Sequence, residues 1–278
     1  MKSDVQMKSE LRTLTVLGQE VRVSIRPAVP APGAERPALP LLLCNGIGAS
    51  LEALQPFVDQ VDPAIEVIRF DVPGVGGSPD PVGPYNYPLL ALGAVRMMRE
   101  LGHERFDVLG ISWGGGLAQQ IAVQHRKSCR RLVLVATATG CLMVPAKWNV
   151  LNKMLTPRRY RDAEYGRAVA AELYGGQVRY RPDLTAALHD GRARAGSRRG
   201  YLFQLLAGAG WSSLPVLPLI RQRVLILAGN DDPLIPLINA RIMARLLPHA
   251  ELDVYADGHL GLMTLAEVLG PRVSRFLA

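Results

Sequence analysis

The stretch "GISWGGG", Gly110 to Gly116, places a serine between glycines in the order Gly-x-Ser-x-Gly, satisfied by Gly110, Ser112 and Gly114. A serine hydroxyl is a poor nucleophile until a base takes its proton, and a carboxylate must hold that base in the right tautomer. The pattern carries chemistry only where an apolar strand precedes it and a helix follows, because a sharp strand-to-helix turn lifts the hydroxyl clear of the backbone. "FDVLG" reads as that strand and "LAQQIAVQH" as that helix. Small residues two positions either side of Ser112 permit the unfavourable backbone geometry such a turn requires.

A base and its carboxylate are expected later in the chain, in the order serine, acid, histidine, each just after a strand. "LILAGNDDPLIP" sets Asp231 and Asp232 after one apolar run, and "VYADGHL" sets His259 after the next. Asp232 is the better acid, because the Asp-Pro-x-x-Pro turn lets its side chain point back to the histidine. Asp231 is read as its solvated or turn-stabilising neighbour. His103 and His249 fall in polar loops, His125 lies where a helix ends and can complement its dipole, and His189 lies in a long insertion. An acyl-transfer site also needs donors for an oxyanion. In "CNGIGAS", Asn45, Gly46 and Gly48 would turn the chain so that the Ile47 N–H faces the site, and the Trp113 N–H would be the second donor. "FDVPGVGGS" is also glycine-rich. It lacks the Lys and Ser/Thr of a phosphate loop and opens no helix, so it reads as structural.

The elements that must position these residues alternate along the chain. "TLTVLGQEVRVSI" reads as an opening hairpin and Pro27–Pro40 as a proline-rich loop. Then "LPLLLC", "IEVIRF", "FDVLG", "RLVLVAT", "RVLILAG" and "ELDVYAD" form short apolar runs separated by helical stretches, among them residues 51–61 and "LLALGAVRMMREL". The C-terminal "LMTLAEVLGPRVSRFL" is mostly helical. This alternation predicts an α/β fold, a mostly parallel sheet with helices on both faces. The alternation stops between Cys141 and Ile220, so residues 1–140 and 221–278 are expected to form one core interrupted by a mainly helical cap at 141–220.

Composition narrows the class. The 278 residues are 49% hydrophobic and 20% charged, and the polar "MKSDVQMKSELRTL" lacks the apolar centre of a signal peptide. Cys44, Cys129 and Cys141 share no metal-ligand spacing and suit a reducing compartment, so no metal or cofactor is expected, and a cytoplasmic location is. Between Lys147 and Gly200 there are 12 Lys or Arg against 5 Asp or Glu, in a chain of net charge +8. A basic cap could meet an anionic surface through Arg158, Arg159 and Arg161; nucleic acid is disfavoured because no reading motif accompanies the arginines.

With these residues in hand, the chain resembles the α/β-hydrolases, and more narrowly the intracellular medium-chain-length polyhydroxyalkanoate depolymerases. The resemblance rests on "NGIGAS", "FDVPGVGGS", "GISWGGGLAQQ", "LVLVATATG", "MVPAK", "TPRRY", "LYGG", "GYLFQLLAGAGWSSL", "LAGNDDPLIPLIN" and "AELDVYADGHL", which span almost all of residues 41–262, cap included. It implies a Ser112–His259–Asp232 serine esterase acting on an apolar storage polyester of 3-hydroxy acids in cytoplasmic granules; the basic cap is then expected to dock on the granule surface and its coat proteins. Dehalogenases and epoxide hydrolases carry Asp at the turn, and polyester synthases of the same fold carry Cys. Alternatives are a general carboxylesterase or lactonase on soluble esters, a carbon–carbon bond hydrolase, and a granule-associated binding protein with a vestigial site. Trp148, Tyr160, Tyr165, Tyr201, Phe203 and Trp211 are candidates for lining the cap's channel. Gly261 stands where a bulkier residue is expected, which bears on pocket shape.

Overall fold

A computed structural model describes residues 9–29, 38–185 and 196–278. Most of the proline-rich loop, together with His189, lies outside the described residues. The strands are β1 (Glu10–Val16), β2 (Gln19–Arg26), β3 (Leu41–Cys44), β4 (Val67–Phe70), β5 (Phe106–Ile111), β6 (Cys129–Val135), β7 (Arg223–Gly229) and β8 (Ala250–Tyr255). They form one sheet in the order β1-β2-β4-β3-β5-β6-β7-β8. The β1–β2 hairpin and the β2–β4 pair are antiparallel, and every later pairing is parallel.

The central strands are apolar at nearly every position because both faces of a parallel sheet are covered. Their side chains alternate between two cores. Leu42, Val108, Leu132, Leu134 and Ile226 enter one, where they meet helices α1 (Tyr87–Glu100), α2 (Trp113–Gln124) and α5 (Leu237–Leu246). Leu41, Leu43, Leu109, Val133 and Leu225 enter the other, against Phe57, Val58 and the C-terminal helix α6 (Ala266–Leu277). "FDVPGVGGS" is structural, as expected. The buried Asp71 carboxylate accepts from the Leu51 and Gly77 amides at 2.7 and 2.8 Å and from Arg22, which locks this loop to β2.

From Val135 to Arg223 the chain leaves the sheet. The neck of this insertion is stitched by Cys141 N–H to the Trp211 carbonyl at 2.9 Å and Ser213 N–H to the Thr139 carbonyl at 3.1 Å. Among its described residues the longer helices are α3 (Ala163–Tyr174) and α4 (Arg198–Ala209). The first is capped by Asp162 accepting from the Tyr165 N–H, the second by Ser197 accepting from the Gly200 N–H. A third apolar cluster joins Val150, Val169, Leu173 and Val178 of the insertion to Ala53, Leu234 and Leu260 of the core. The insertion is therefore packed onto the C-terminal ends of the strands, where ligands of open parallel sheets bind.

Behind the sheet, the buried Arg26 guanidinium donates to the carbonyls of Val58, Val61, Asp62 and Ile65, closing the loop between β3 and β4. Burial lowers its pKa, and its removal would take the guanidinium donor from all four oxygens, of which Val58 and Asp62 keep a backbone donor in the Val61 and Ile65 amides. Arg26→Met is expected to lower unfolding free energy by about 3 kcal/mol, read from urea denaturation at unchanged slope.

Candidate active site

Ser112 stands between β5 and α2 with φ 53° and ψ −122°, a conformation that non-glycine residues rarely adopt. Its N–H donates to the Val135 carbonyl at 2.9 Å, and its own carbonyl accepts from Thr137 Oγ1 at 2.6 Å and from the Gly115 N–H at 2.9 Å. The neighbouring β6 strand therefore holds the strained residue in place. The two motif glycines are required by space. A side chain at Gly110 would strike the Gly114 carbonyl and Ala118, and one at Gly114 would strike the Cys44 and Asn45 carbonyls at the end of β3.

The other two sequence-predicted residues are brought to this serine. His259 Nε2 lies 3.0 Å from Ser112 Oγ, and His259 Nδ1 lies 2.8 Å from Asp232 Oδ2. Histidine and aspartate are both buried. The second Asp232 oxygen accepts from the Leu234 and Ile235 amides at 2.9 and 2.8 Å, so the Asp-Pro-x-x-Pro turn aims its carboxylate at the ring. This file of contacts can pass a proton from the hydroxyl to the imidazole while the carboxylate steadies the resulting cation.

Asp231 faces away from the histidine. It forms an ion pair with Arg179 at 2.9 Å and accepts from the Gly176 N–H at 2.8 Å, tying the insertion to the core. The Arg179 hydrogen bond holds its carboxyl below the usual carboxylate range. Beside it, buried Asp257 accepts from the Gln177 and Gly258 amides and from Thr264 Oγ1, which pins the loop that carries His259. Burial, with the Asp232 and Asp257 carboxylates nearby, pushes the Tyr255 phenol up, so it stays neutral.

The turn at Asn45–Gly48 lies beside Ser112. Asn45 braces it, accepting from the Gly46 N–H at 2.8 Å and donating to the Ser50 carbonyl at 2.6 Å. The Gly48 N–H donates to Gln204 Oε1 at 2.8 Å. Among the described residues neither the Ile47 amide, between these committed ones, nor the Trp113 amide at the start of α2 donates to a protein acceptor. Gly48 has φ 71°, and a Cβ there would press on the rings of Tyr160 and Tyr201 at 2.8 and 2.9 Å. Gln204 was not singled out in the sequence. It is buried on α4, its side chain holds the Gly48 amide, and its carbonyl accepts from the Trp113 indole at 2.8 Å. One residue of the insertion thus holds both turns that flank Ser112.

A cavity of about 40 Å³ contains Ser112 and His259, with Asn45, Gly46 and Ile47 on one wall. Its apolar walls include Leu54, Met154, Leu234, Leu260 and Met263. Of the six aromatic lining candidates, Tyr160 alone borders this cavity. Trp148 is 72% exposed, Phe203 packs edge-on against Tyr85, and Trp211 packs on Tyr87 and donates to Gln120. Tyr165 lies under Arg158, and Tyr201 sits one layer behind the wall. Two wall residues were missed. Tyr174 lies parallel to the His259 ring at 6.3 Å, and its carbonyl accepts from the His259 N–H at 2.7 Å. Arg159, expected on a basic surface, is only 2% exposed and borders the cavity; its neighbours Arg158 and Arg161 are the exposed ones. Nor does Gly261 shape the cavity. It is small because the Tyr255 ring lies against it.

The Gln204 arrangement is testable. Gln204→Leu is expected to lower kcat on a p-nitrophenyl ester about tenfold or more, with a smaller change in KM, because Gln204 holds the two turns that carry the Ile47 and Trp113 amides. Gln204→Glu keeps an acceptor for the Gly48 N–H and is expected to retain more of the rate.

Known proteins share this architecture. The model of the alpha/beta hydrolase fold family matches residues 40–264. A poly(3-hydroxyalkanoate) depolymerase of Ectopseudomonas oleovorans is 47% identical over 266 residues, covering 96% of this chain and 92% of that protein. 3-Oxoadipate enol-lactonase 2 of Acinetobacter baylyi is 25% identical over 228 residues, covering 82% of this chain and 83% of the relative. The crystal structure of an enol-lactonase from Burkholderia xenovorans superposes with a TM-score of 0.80 at 22% identity, over 96% of this chain and 99% of that one. With its eight-stranded sheet, its serine at the β5–α2 turn and these relatives, the chain belongs to the alpha/beta hydrolase fold family and is a carboxylic ester hydrolase resembling the poly(3-hydroxyalkanoate) depolymerases.

Proposed function

We propose that this ester hydrolase cleaves intracellular medium-chain-length poly(3-hydroxyalkanoate) to 3-hydroxy acids or short oligomers, with Ser112, His259 and Asp232 as its catalytic triad and residues 141–220 as its cap. The observation that carries the reading is the extent of the likeness to the Ectopseudomonas oleovorans depolymerase. At 96% of this chain it includes the insertion over the site, the part that differs most among proteins sharing a core.

The chemistry follows from the distances. His259 takes the Ser112 proton across 3.0 Å as the hydroxyl oxygen attacks the ester carbonyl carbon. The carbonyl oxygen becomes an oxyanion, held by the Ile47 and Trp113 amides at a contribution of about 3 kcal/mol each. Asp232 stabilises the imidazolium, which then gives its proton to the departing 3-hydroxyl oxygen. Water, deprotonated by His259, attacks the acyl-enzyme, and collapse of the second oxyanion frees the acid and restores Ser112. The leucine and methionine walls suit an alkyl side chain better than a polar one.

A cavity of about 40 Å³ holds only two or three water molecules, so a polymer would reach Ser112 through a movement of the cap. Among the described residues no helix is long and apolar enough to cross a membrane. Contact with a granule coat falls instead to the exposed arginines of the cap, Arg158 and Arg161 among them, and is expected to weaken with salt.

The test pairs the protein with its Ser112→Ala variant on native granules of medium-chain and short-chain polyester, with mass spectrometry of the released acids. Release from medium-chain granules is expected, falling by about a thousandfold or more in the variant. No release, with p-nitrophenyl esters still cleaved, would leave a general carboxylesterase or lactonase.

A further inference from the structure

The Arg159 side chain is charged, buried and in the same cavity as Ser112. Nη1 donates to Tyr201 Oη at 2.7 Å, and Nη2 reaches the Ile47 carbonyl at 3.4 Å and Tyr160 Oη at 3.5 Å. The guanidinium carbon also lies 4.4 Å from the Tyr160 ring centre and 5.5 Å from that of Tyr201, and Tyr201 is anchored in turn by donating to the Met154 carbonyl at 2.6 Å. The Tyr160 and Tyr201 phenols and a backbone carbonyl hold the guanidinium, and the Tyr174 phenol interacts with it as well. It contacts the residue whose N–H flanks Ser112, one peptide unit from where an oxyanion would form.

The interior of a polyester offers the guanidinium, already held by tyrosines, only neutral ester oxygens. Its carboxyl end is different. When the last ester bond is attacked, the leaving unit is a 3-hydroxy acid whose carboxylate carbon is three bonds from the ester oxygen. At about 1.5 Å per bond that places the carboxylate roughly 4–5 Å from the reacting carbon. A planar guanidinium recognises a carboxylate through paired, charge-assisted hydrogen bonds, whereas an interior ester offers it only a neutral carbonyl. Because the Arg159 side chain is buried, water screens that difference less than it would at the surface.

Resting on the polyester reading, we propose that Arg159 forms a subsite for the free carboxylate of the chain end, so that the enzyme removes 3-hydroxy acid units one at a time from the carboxyl terminus. The subsite selects the position of the bond that is cut and leaves the bond-breaking steps as described. It equally takes a short oligomer with a free carboxyl end, and it disfavours a chain whose end is esterified.

The experiment uses a linear trimer of a medium-chain 3-hydroxy acid, isotopically labelled in its carboxyl-terminal unit, and the methyl ester of the same trimer. The wild-type protein is expected to release the labelled unit first and to favour the free acid over the methyl ester in kcat/KM by about tenfold or more. Arg159→Gln is expected to bring that ratio close to one, with the loss of preference mostly in KM, and Arg159→Lys to keep part of it. Equal turnover of acid and ester by the wild type would overturn the subsite without needing either variant to fold. A preference that survives in both variants would overturn Arg159 as its basis. Cleavage of both trimers without preference leaves the polyester reading standing. Cleavage of neither, with p-nitrophenyl esters still hydrolysed, removes that reading and the subsite with it.

Discussion

The rest of the site depends on one strained residue. Ser112 occupies a left-handed backbone conformation between a buried parallel strand and a helix, and nothing local favours it there. What holds it is the end of β6 and the chain just after it, through the Val135 carbonyl and the Thr137 hydroxyl, together with the β3 end pressing on Gly114. The strain is tolerated because the parallel sheet is packed on both faces and cannot yield. Once that turn is set, the loops after β7 and β8 need only reach the same edge of the sheet to bring Asp232 and His259 to it.

The insertion is joined to the chemistry as well as covering it. Gln204 binds the turn before Ser112 and the indole just after it, and the Tyr174 carbonyl holds the His259 backbone. Asp231 and Asp257 fasten the segment after α3 to the histidine loop from the core side. An insertion linked in this way couples its own position to the geometry beneath it.

Charge in the insertion divides by depth. Arg158 pairs with Asp162 at the surface, Arg181 with Asp183, and Lys153 with Glu172, arrangements that water and salt screen. Arg159, one residue from Arg158, points inward among tyrosines, where a unit charge acts at much higher strength. A net positive segment thus contains two kinds of arginine with different consequences.

The sequence by itself determined the order of strands and helices, because buried strands must be apolar and the helices between them amphipathic. It also marked the Gly110–Gly114 turn and the acid and histidine loops, since close approach of backbones admits only glycine and since strand ends are where such loops fall. That Asp232 rather than Asp231 meets the His259 ring was legible from its prolines. The contacts across the insertion were decided only by tertiary structure. A short helix of "RRYR" carries no sign of which arginine faces inward, because its period spans barely one turn. Gln204 and Tyr174 gain their roles from partners far away in sequence, Gly48 at 156 residues and His259 at 85. Aromatic residues in the insertion were equally suited to packing or lining, and packing claimed most of them. Local pattern reports which face of an element is apolar; which buried polar group meets which loop is settled by the folded chain's distances.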